Sequence, residues 1–240
     1  MDLDSPALGA IRRTSAVDTV RARIWLGVDL GMLAAGQRLP TPAETARAFG
    51  VSEMTARRAY RLLSEEGLVV RLRGGSGGSF IAEVLPEHGI PALAAYREDA
   101  QHVHDLIDQR AVIEAGLAGL ASAARTDEEL TELGALVTRM RAARDWADFR
   151  EADAAFHEAV AAAAHVAGAA ILHRRVSNEL YEYFVPYRLE YLAESNTEHA
   201  LLIEAVANRD AASASRLAHA HVTELHRSMY VGRMDSLSRD

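Results

Sequence analysis

Asp153 and His157 stand four residues apart in a helix-forming stretch, a spacing that puts both side chains on one helical face. His199 follows a polar stretch, and His221 lies in the last long helical segment. One carboxylate oxygen and three imidazole nitrogens are a donor set suited to a divalent transition metal such as zinc, nickel or manganese. Carried on three helices, they could converge in the core of a bundle. Spacing alone does not single them out. The chain has ten histidines, and His165, His173, His219 and His226 satisfy the same arithmetic. Four unrelated surface or core groups is the simpler reading at this level. His219 and His221 are two apart and cannot both point inward from one helix. His157-Glu158 opens like a zinc-protease HExxH motif, but Ala161 stands where the second histidine must be, so that motif fails. Arg110 and Glu114 are a helical pair that reads first as an ordinary salt bridge. Tyr181, Tyr183 and Tyr187 read either as core or as the wall of a cavity.

A second group of residues has the chemistry to meet nucleic acid. Arg57, Arg58 and Arg61 fall on the outer side of a helix whose Ala56, Ala59, Tyr60 and Leu63 recur at core-facing spacing. Ser52, Glu53, Met54 and Thr55 form the start of that helix, the end that suits insertion into a major groove. Arg71 and Arg73 flank a glycine-rich turn containing Gly77, within reach of phosphate or the minor groove. A helix hairpin with a solvated arginine face is the bland alternative.

The elements that must position these groups follow from local signals. Residues 1–14 read as a loose tail. Apolar periodicity predicts a helix from Ser15 to about Met32, stopped by Gly31 and Gly36. Thr41 is placed to cap a short helix from Pro42 to Phe49, with Glu44 completing a capping box. Gly50 ends it, and Ser52 caps the arginine-bearing helix, which runs to Glu66. Leu68–Leu72 and Ser79–Val84 read as two strands joined by the glycine-rich turn. Beyond Pro91 the pattern is helical almost throughout, with a capping box at Thr126 and breaks expected near Arg144–Asp148, Val166–Gly168, Glu194–Thr197 and Asn208–Asp210. The expected division is a tail at 1–14, a head at 15–84, a linker at 85–95, a helical domain of six or seven helices at 96–230 and a second tail at 231–240.

Bulk properties are compatible with this. The chain has 240 residues, 49% of them hydrophobic, no cysteine and no lysine. There is no thiolate chemistry and no disulfide framework. No apolar run is long enough to span a bilayer, and the first residues lack the apolar core of a signal peptide, so the expected location is cytoplasmic. The net charge of −8 divides unevenly: residues 1–84 carry 11 Arg against 9 Asp/Glu, and the remainder 15 Arg against 25 Asp/Glu. Only the first third can face phosphate.

Helix, tight turn, helix and glycine-tipped hairpin are the layout of a winged helix-turn-helix. Arg38-Leu39-Pro40-Thr41-Pro42-Ala43-Glu44, Phe49-Gly50-Val51-Ser52 and Arg57-Arg58-Ala59-Tyr60-Arg61-Leu62-Leu63-Ser64-Glu65-Glu66-Gly67-Leu68-Val69 resemble the DNA-binding domain of the GntR family over roughly Val17–Val84. Ala43 and Glu53 stand where that family often has DNA-contacting arginines; Arg57 matches one of its contacting arginines. Asp153-Ala154-Ala155-Phe156-His157, Glu198-His199-Ala200-Leu201-Leu202, Asn208-Arg209-Asp210-Ala211 and His221 are similar to the metal-binding branch of the FadR subgroup, with its FCD-type ligand domain, over roughly Val103–Arg227.

The resemblance implies a mainly α protein: a winged helix-turn-helix followed by an all-α bundle, with Asp153, His157, His199 and His221 as metal ligands. It also implies that Arg110 points into a ligand cavity, where a guanidinium would hold a carboxylate. The resulting expectation is a homodimeric regulator, not an enzyme. It would bind double-stranded operator DNA as a repressor and be released by a small carboxylate effector at the metal. A purely metal-responsive regulator, and a metal-dependent enzyme fused to a DNA-binding module, are the competing readings.

Overall fold

A computed structural model describes residues 15–74, 77–86 and 99–229. The head begins with α1 (Ala16–Asp29), capped by the Ser15 hydroxyl accepting from the Asp18 amide. In α2 (Pro42–Phe49) the capping box is complete: the Thr41 hydroxyl accepts from the Glu44 amide, and the Glu44 carboxylate accepts from the Thr41 amide. Gly50 ends α2 with a φ of 66°, a left-handed backbone that glycine adopts without strain. Ser52 caps α3 (Glu53–Glu65), which buries Ala56, Ala59, Tyr60 and Leu63 as its spacing predicts.

Tyr60 ties the head together. Its buried hydroxyl donates to the Pro40 carbonyl at 2.9 Å and lies 2.7 Å from the Thr45 hydroxyl. Burial holds its ionisation above the usual tyrosine range. Tyr60→Phe is expected to cost about 1–3 kcal/mol of stability, because two buried polar groups lose their partner. Urea unfolding measures it, and a change inside about 0.5 kcal/mol, the range of an exposed site, would contradict the assignment.

The wing is the antiparallel pair β1 (Val69–Leu72) and β2 (Gly78–Ile81), in register Val69 to Ile81 and Leu72 to Gly78. The segment before α2 adds a third edge: Arg38 bridges to Phe80, and the Leu39 amide donates to the Ser79 carbonyl at 2.8 Å. The returning strand is shorter than the expected Ser79–Val84, because pairing passes to the Ala82 amide and the Leu68 carbonyl and then stops. Gly77 has no room for a side chain: a Cβ there would lie 2.6 Å from the Leu72 carbonyl oxygen. Gly75 and Ser76 of the turn, and most of the expected linker, fall outside the described residues.

The second domain is built from α4 (Ala100–Ala124), α5 (Asp127–Arg141), α6 (Trp146–Ala163), α7 (Ala167–Tyr181), α8 (Leu189–Ala207), α9 (Ala211–Thr223) and a short α10 (Leu225–Ser228). Long α4 packs along α9, α5 lies against α6 and α8, and α7 closes on α4. Among the described residues no helix is long and apolar enough to cross a membrane.

Three of the four expected breaks are present. The fourth, at Glu194–Thr197, is not: α8 runs unbroken from Leu189 to Ala207. Of the polar residues there, Asn196 answers to a tertiary contact. The buried Asn196 amide donates to the Val137 carbonyl of α5 at 3.1 Å. The chain breaks instead between Tyr181 and Leu189, around Pro186, whose ring prevents α7 from continuing.

The head sits directly on α6. Phe49 of α2 stacks on Trp146 with ring centroids 5.0 Å apart and meets Phe184 at 6.5 Å. Arg47 donates to Glu151 at 3.0 Å, and Glu151 also accepts from Arg139 at 2.7 Å. Arg23 of α1 reaches the Glu182 carbonyl at the end of α7, its guanidinium carbon 4.7 Å from the centre of the Phe49 ring.

Candidate metal centre and nucleic-acid interface

Helix α6 presents Asp153 and His157 inward one turn apart, α8 brings His199, and α9 brings His221. One ligand nitrogen from each of the three histidines falls in a cluster within 4.8 Å. His199 Nε2 lies 3.0 Å from His221 Nε2, and an Asp153 oxygen lies 3.5 Å from His199 Nε2 and 3.6 Å from His157 Nε2. His157 and His199 are buried, and Asp153 is nearly so. All four predicted ligands therefore meet at one point.

The outer ring nitrogens determine what faces that point. A carboxylate only accepts, so the Glu198 contact at 2.6 Å places a proton on His221 Nδ1. Glu114 does the same for His157 Nδ1 at 3.0 Å. Asn196, its amide nitrogen committed to Val137, turns its oxygen toward His199 Nδ1 at 3.4 Å. The three Nε2 atoms and a carboxylate oxygen are left facing each other. At 3.0 Å the Nε2 atoms of His199 and His221 share either a proton or a metal cation. Burial pushes the His199 pKa well below the usual histidine range, and neighbouring His221 adds to the drop. Asp153, although burial alone would raise its pKa, is held below the usual carboxylate range by His157 and His199. The donor set fits a divalent transition metal, with neutral imidazoles oriented by outer partners as such ligands require.

Glu114 is more than half of a salt bridge. Fully inside the domain, it accepts from Arg110 Nε at 2.6 Å, from His173 Nε2 at 2.8 Å and from His157 Nδ1. Burial would raise its pKa, but Arg110 and His157 override that and hold it well below the usual range. Burial likewise opposes the charge on His157, and Glu114 reverses the sign, raising its pKa. His173, which spacing alone could not distinguish from the other spare histidines, thus belongs to the ligand-orienting network. Its clue, an inward face on the helix before Pro186, becomes legible only once that helix is placed against α4.

Arg110, Asp153, His157 and His221 line a cavity of about 70 Å³ that Tyr181 and Tyr187 help to close. Tyr183, the third expected tyrosine, points away and donates to Asp99 at 3.0 Å.

Of the predicted DNA-facing residues, Thr41, Arg57, Arg61 and Arg71 line one groove of the head. Met54, Arg57, Arg58 and Arg61 are exposed on α3, and Arg71 and Arg73 are exposed on the wing. Thr41 and Ser52 act as helix caps. Thr55 pairs with the Ser52 hydroxyl at 2.8 Å. Glu53 accepts from Arg57 Nε at 2.8 Å, so in the free protein Arg57 is folded back along its own helix. Between α3 and the wing lies a groove of about 370 Å³, lined by Arg57, Arg61, Arg71 and also Arg38. Arg38 was not among the expected contacts; it donates to the Gly77 carbonyl at 3.0 Å and props the wing beside the groove.

Comparison with known proteins finds two family models that match the chain. Residues 14–78 match the model for bacterial regulatory proteins of the gntR family, and residues 105–224 match the FCD domain. A protein of Escherichia coli provisionally designated the L-lactate dehydrogenase operon regulatory protein is 29% identical, with 88% of this chain and 85% of the relative covered. The HTH-type transcriptional regulator LutR of Bacillus subtilis is also 29% identical, over 81% of this chain and 92% of that one. Among solved structures, a Streptococcus agalactiae GntR protein aligns with a TM-score of 0.46 at 23% identity, covering 88% of this chain and 100% of that one. The family and the E. coli and B. subtilis relatives are transcriptional regulators, not enzymes, which removes the fused-enzyme reading. With an arginine-lined winged helix-turn-helix at one end and a histidine-rich helical domain at the other, the chain belongs to the GntR family of transcriptional regulators, in its FCD-domain branch.

Proposed function

We propose that this regulator is a homodimeric repressor whose grip on operator DNA is loosened when a small organic acid binds beside a divalent transition metal held by Asp153, His157, His199 and His221. One observation carries the proposal: α6 bears two of the ligands and, a turn or two away, the Trp146 and Glu151 side chains on which the head is seated. A bound metal supplies a Lewis-acidic site for an oxyanion. Arg110 lines the same cavity, where its charge would favour a carboxylate. The name of the E. coli relative makes L-lactate a natural first probe.

A second subunit would place a second α3 on a pseudo-palindromic site. Val112, Gly116 and Leu120 lie along one exposed stripe of α4, with Val112 70% exposed, and offer apolar surface for that contact. The acid would shift the head by its differential affinity for the two arrangements. A coupling of about 1–3 kcal/mol corresponds to roughly 5–150-fold in operator affinity.

The test is operator binding by zinc-loaded protein, alone and with acetate, L-lactate or malonate. Release by an acid supports the reading. An unchanged operator affinity with every acid, but a change on adding zinc alone, would favour the purely metal-responsive alternative. Arg58→Ala is expected to weaken operator binding about 10-fold and to lower the salt dependence by roughly one phosphate contact. An unaltered salt slope would move Arg58 off the DNA.

A further inference from the structure

We propose that Arg150 is a second anion-binding residue of the effector cavity, and that the effector is a short dicarboxylate. One carboxylate would lie at the metal and Arg110, the other at Arg150 and the Tyr181 hydroxyl. The inference rests on the reading that an acid occupies this cavity.

Arg150 lies on α6 one turn before Asp153 and is 7% exposed. It has no ion pair among the described residues, and its buried Nε has no hydrogen-bond partner there. Its guanidinium carbon sits 3.3 Å above the centre of the Tyr181 ring and 5.3 Å from that of Phe184. Aromatic faces attract a cation but do not neutralise it. Burial accordingly lowers its pKa. The Tyr181 hydroxyl is also buried without a partner. A buried guanidinium is ordinarily paired, since an isolated charge in the interior is expensive. Among the described residues no carboxylate closes an ion pair with it, and Arg150 lines the cavity that also holds Arg110, Asp153 and His157.

Charge bookkeeping points the same way. The Arg110 charge is already matched by Glu114, and that of a bound metal is partly matched by Asp153. Arg150 has no ion pair among the described residues, and the nearby carboxylate, Asp153, is shared with the histidines. A hydroxyl or keto oxygen would give it a hydrogen bond but no opposite charge; a second carboxylate supplies both, and can do so bidentately. Arg110 and Arg150 lie against the same Tyr181 ring, at 5.3 and 3.3 Å, so one small molecule can span them. The cavity of about 70 Å³ has room for about five to seven water-sized groups, which limits a dicarboxylate to two or three carbons. Arg150 also faces the larger cavity between α6 and the head, and Glu182, next to the Tyr181 on which it stacks, carries the carbonyl taken by Arg23. A ligand that draws on Arg150 therefore acts on the seat of the head.

Zinc-loaded protein titrated calorimetrically with malonate, L-lactate and acetate tests this. Wild type is expected to bind malonate at least 10-fold more tightly than either monocarboxylate. Arg150→Met is expected to erase that preference while leaving acetate binding within about threefold. It should also melt no lower than wild type without ligand, because it removes an unpaired buried charge; a purely structural arginine would lower the melting point. If Arg150→Met does not fold, the assignment fails unless Arg150→Lys, which keeps the charge but not the fork, folds and weakens malonate selectively. If Arg150→Met keeps the preference, the assignment is wrong while the metal-site reading stands. If wild type binds none of the acids, both fall together.

Discussion

Glu114→Ala is expected to be the most damaging single substitution in the helical domain, lowering stability by about 3–5 kcal/mol. The carboxylate meets Arg110, His157 and His173 at 2.6, 3.0 and 2.8 Å and is buried with them. Removing one partner of a buried ion pair leaves the other charge without compensation, and that asymmetry is what costs several kcal/mol. For a protein of this size the loss corresponds to a fall in melting temperature of roughly 6–20 °C. The same change frees the outer nitrogen of His157, so its ring is no longer held with Nε2 toward Asp153. Loss of such an outer partner typically weakens metal binding 10–100-fold. Glu114→Gln separates the two effects. The amide oxygen can still accept from Arg110, but the charge that stabilises Arg110 and orients His157 is gone. Thermal melts with and without zinc, together with competition against a chromogenic chelator, read both quantities. A Glu114→Ala protein with wild-type melting and wild-type zinc affinity would show that Glu114 is an ordinary surface-type salt bridge after all.

Removing metal should produce the second large change. A ligand that binds only the folded state stabilises it by about 2.7 kcal/mol at a free concentration 100 times its dissociation constant, and by about 4.1 kcal/mol at 1,000 times. Chelator treatment is therefore expected to lower the melting temperature by roughly 5–16 °C. Re-addition of zinc should restore it, with nickel and manganese measured alongside for rank. His199→Ala should abolish the response. Its side chain is wholly buried at the centre of the cluster, 3.0 Å from His221 and 3.5 Å from Asp153. With that ligand gone, His199→Ala should lose less on chelation than wild type does. If chelator leaves the wild-type melt unmoved, and no divalent ion co-purifies, the four residues are a buried polar network with no ion to hold.

Much of the head could be read directly from the chain. Thr41, Pro42 and Glu44 announce a helix start, Gly50 its end and Ser52 the next start, because caps and left-handed glycines are local signals that need no distant partner. Asp153 and His157 could be paired by spacing, since four residues on a helix fix a shared face. Family resemblance brought in His199 and His221, which lie far from them in sequence.

Other features were decided only when the helices packed. Polarity at Glu194–Thr197 suggested a break, yet Asn196 belongs inside an unbroken helix because its partners, Val137 and His199, come from tertiary packing and from the next turn. Glu114 looked like a surface pair with Arg110 until α4, α6 and α7 brought His157 and His173 to the same carboxylate. Arg150 carried no signal at all: an arginine in a helical stretch is normally solvated, and only the packing of α6 against Tyr181 and Phe184 isolates its charge. Local backbone chemistry can be read along the chain. The electrostatic environment of a side chain is set by groups that are remote in sequence, and it exists only once the fold excludes water from between them.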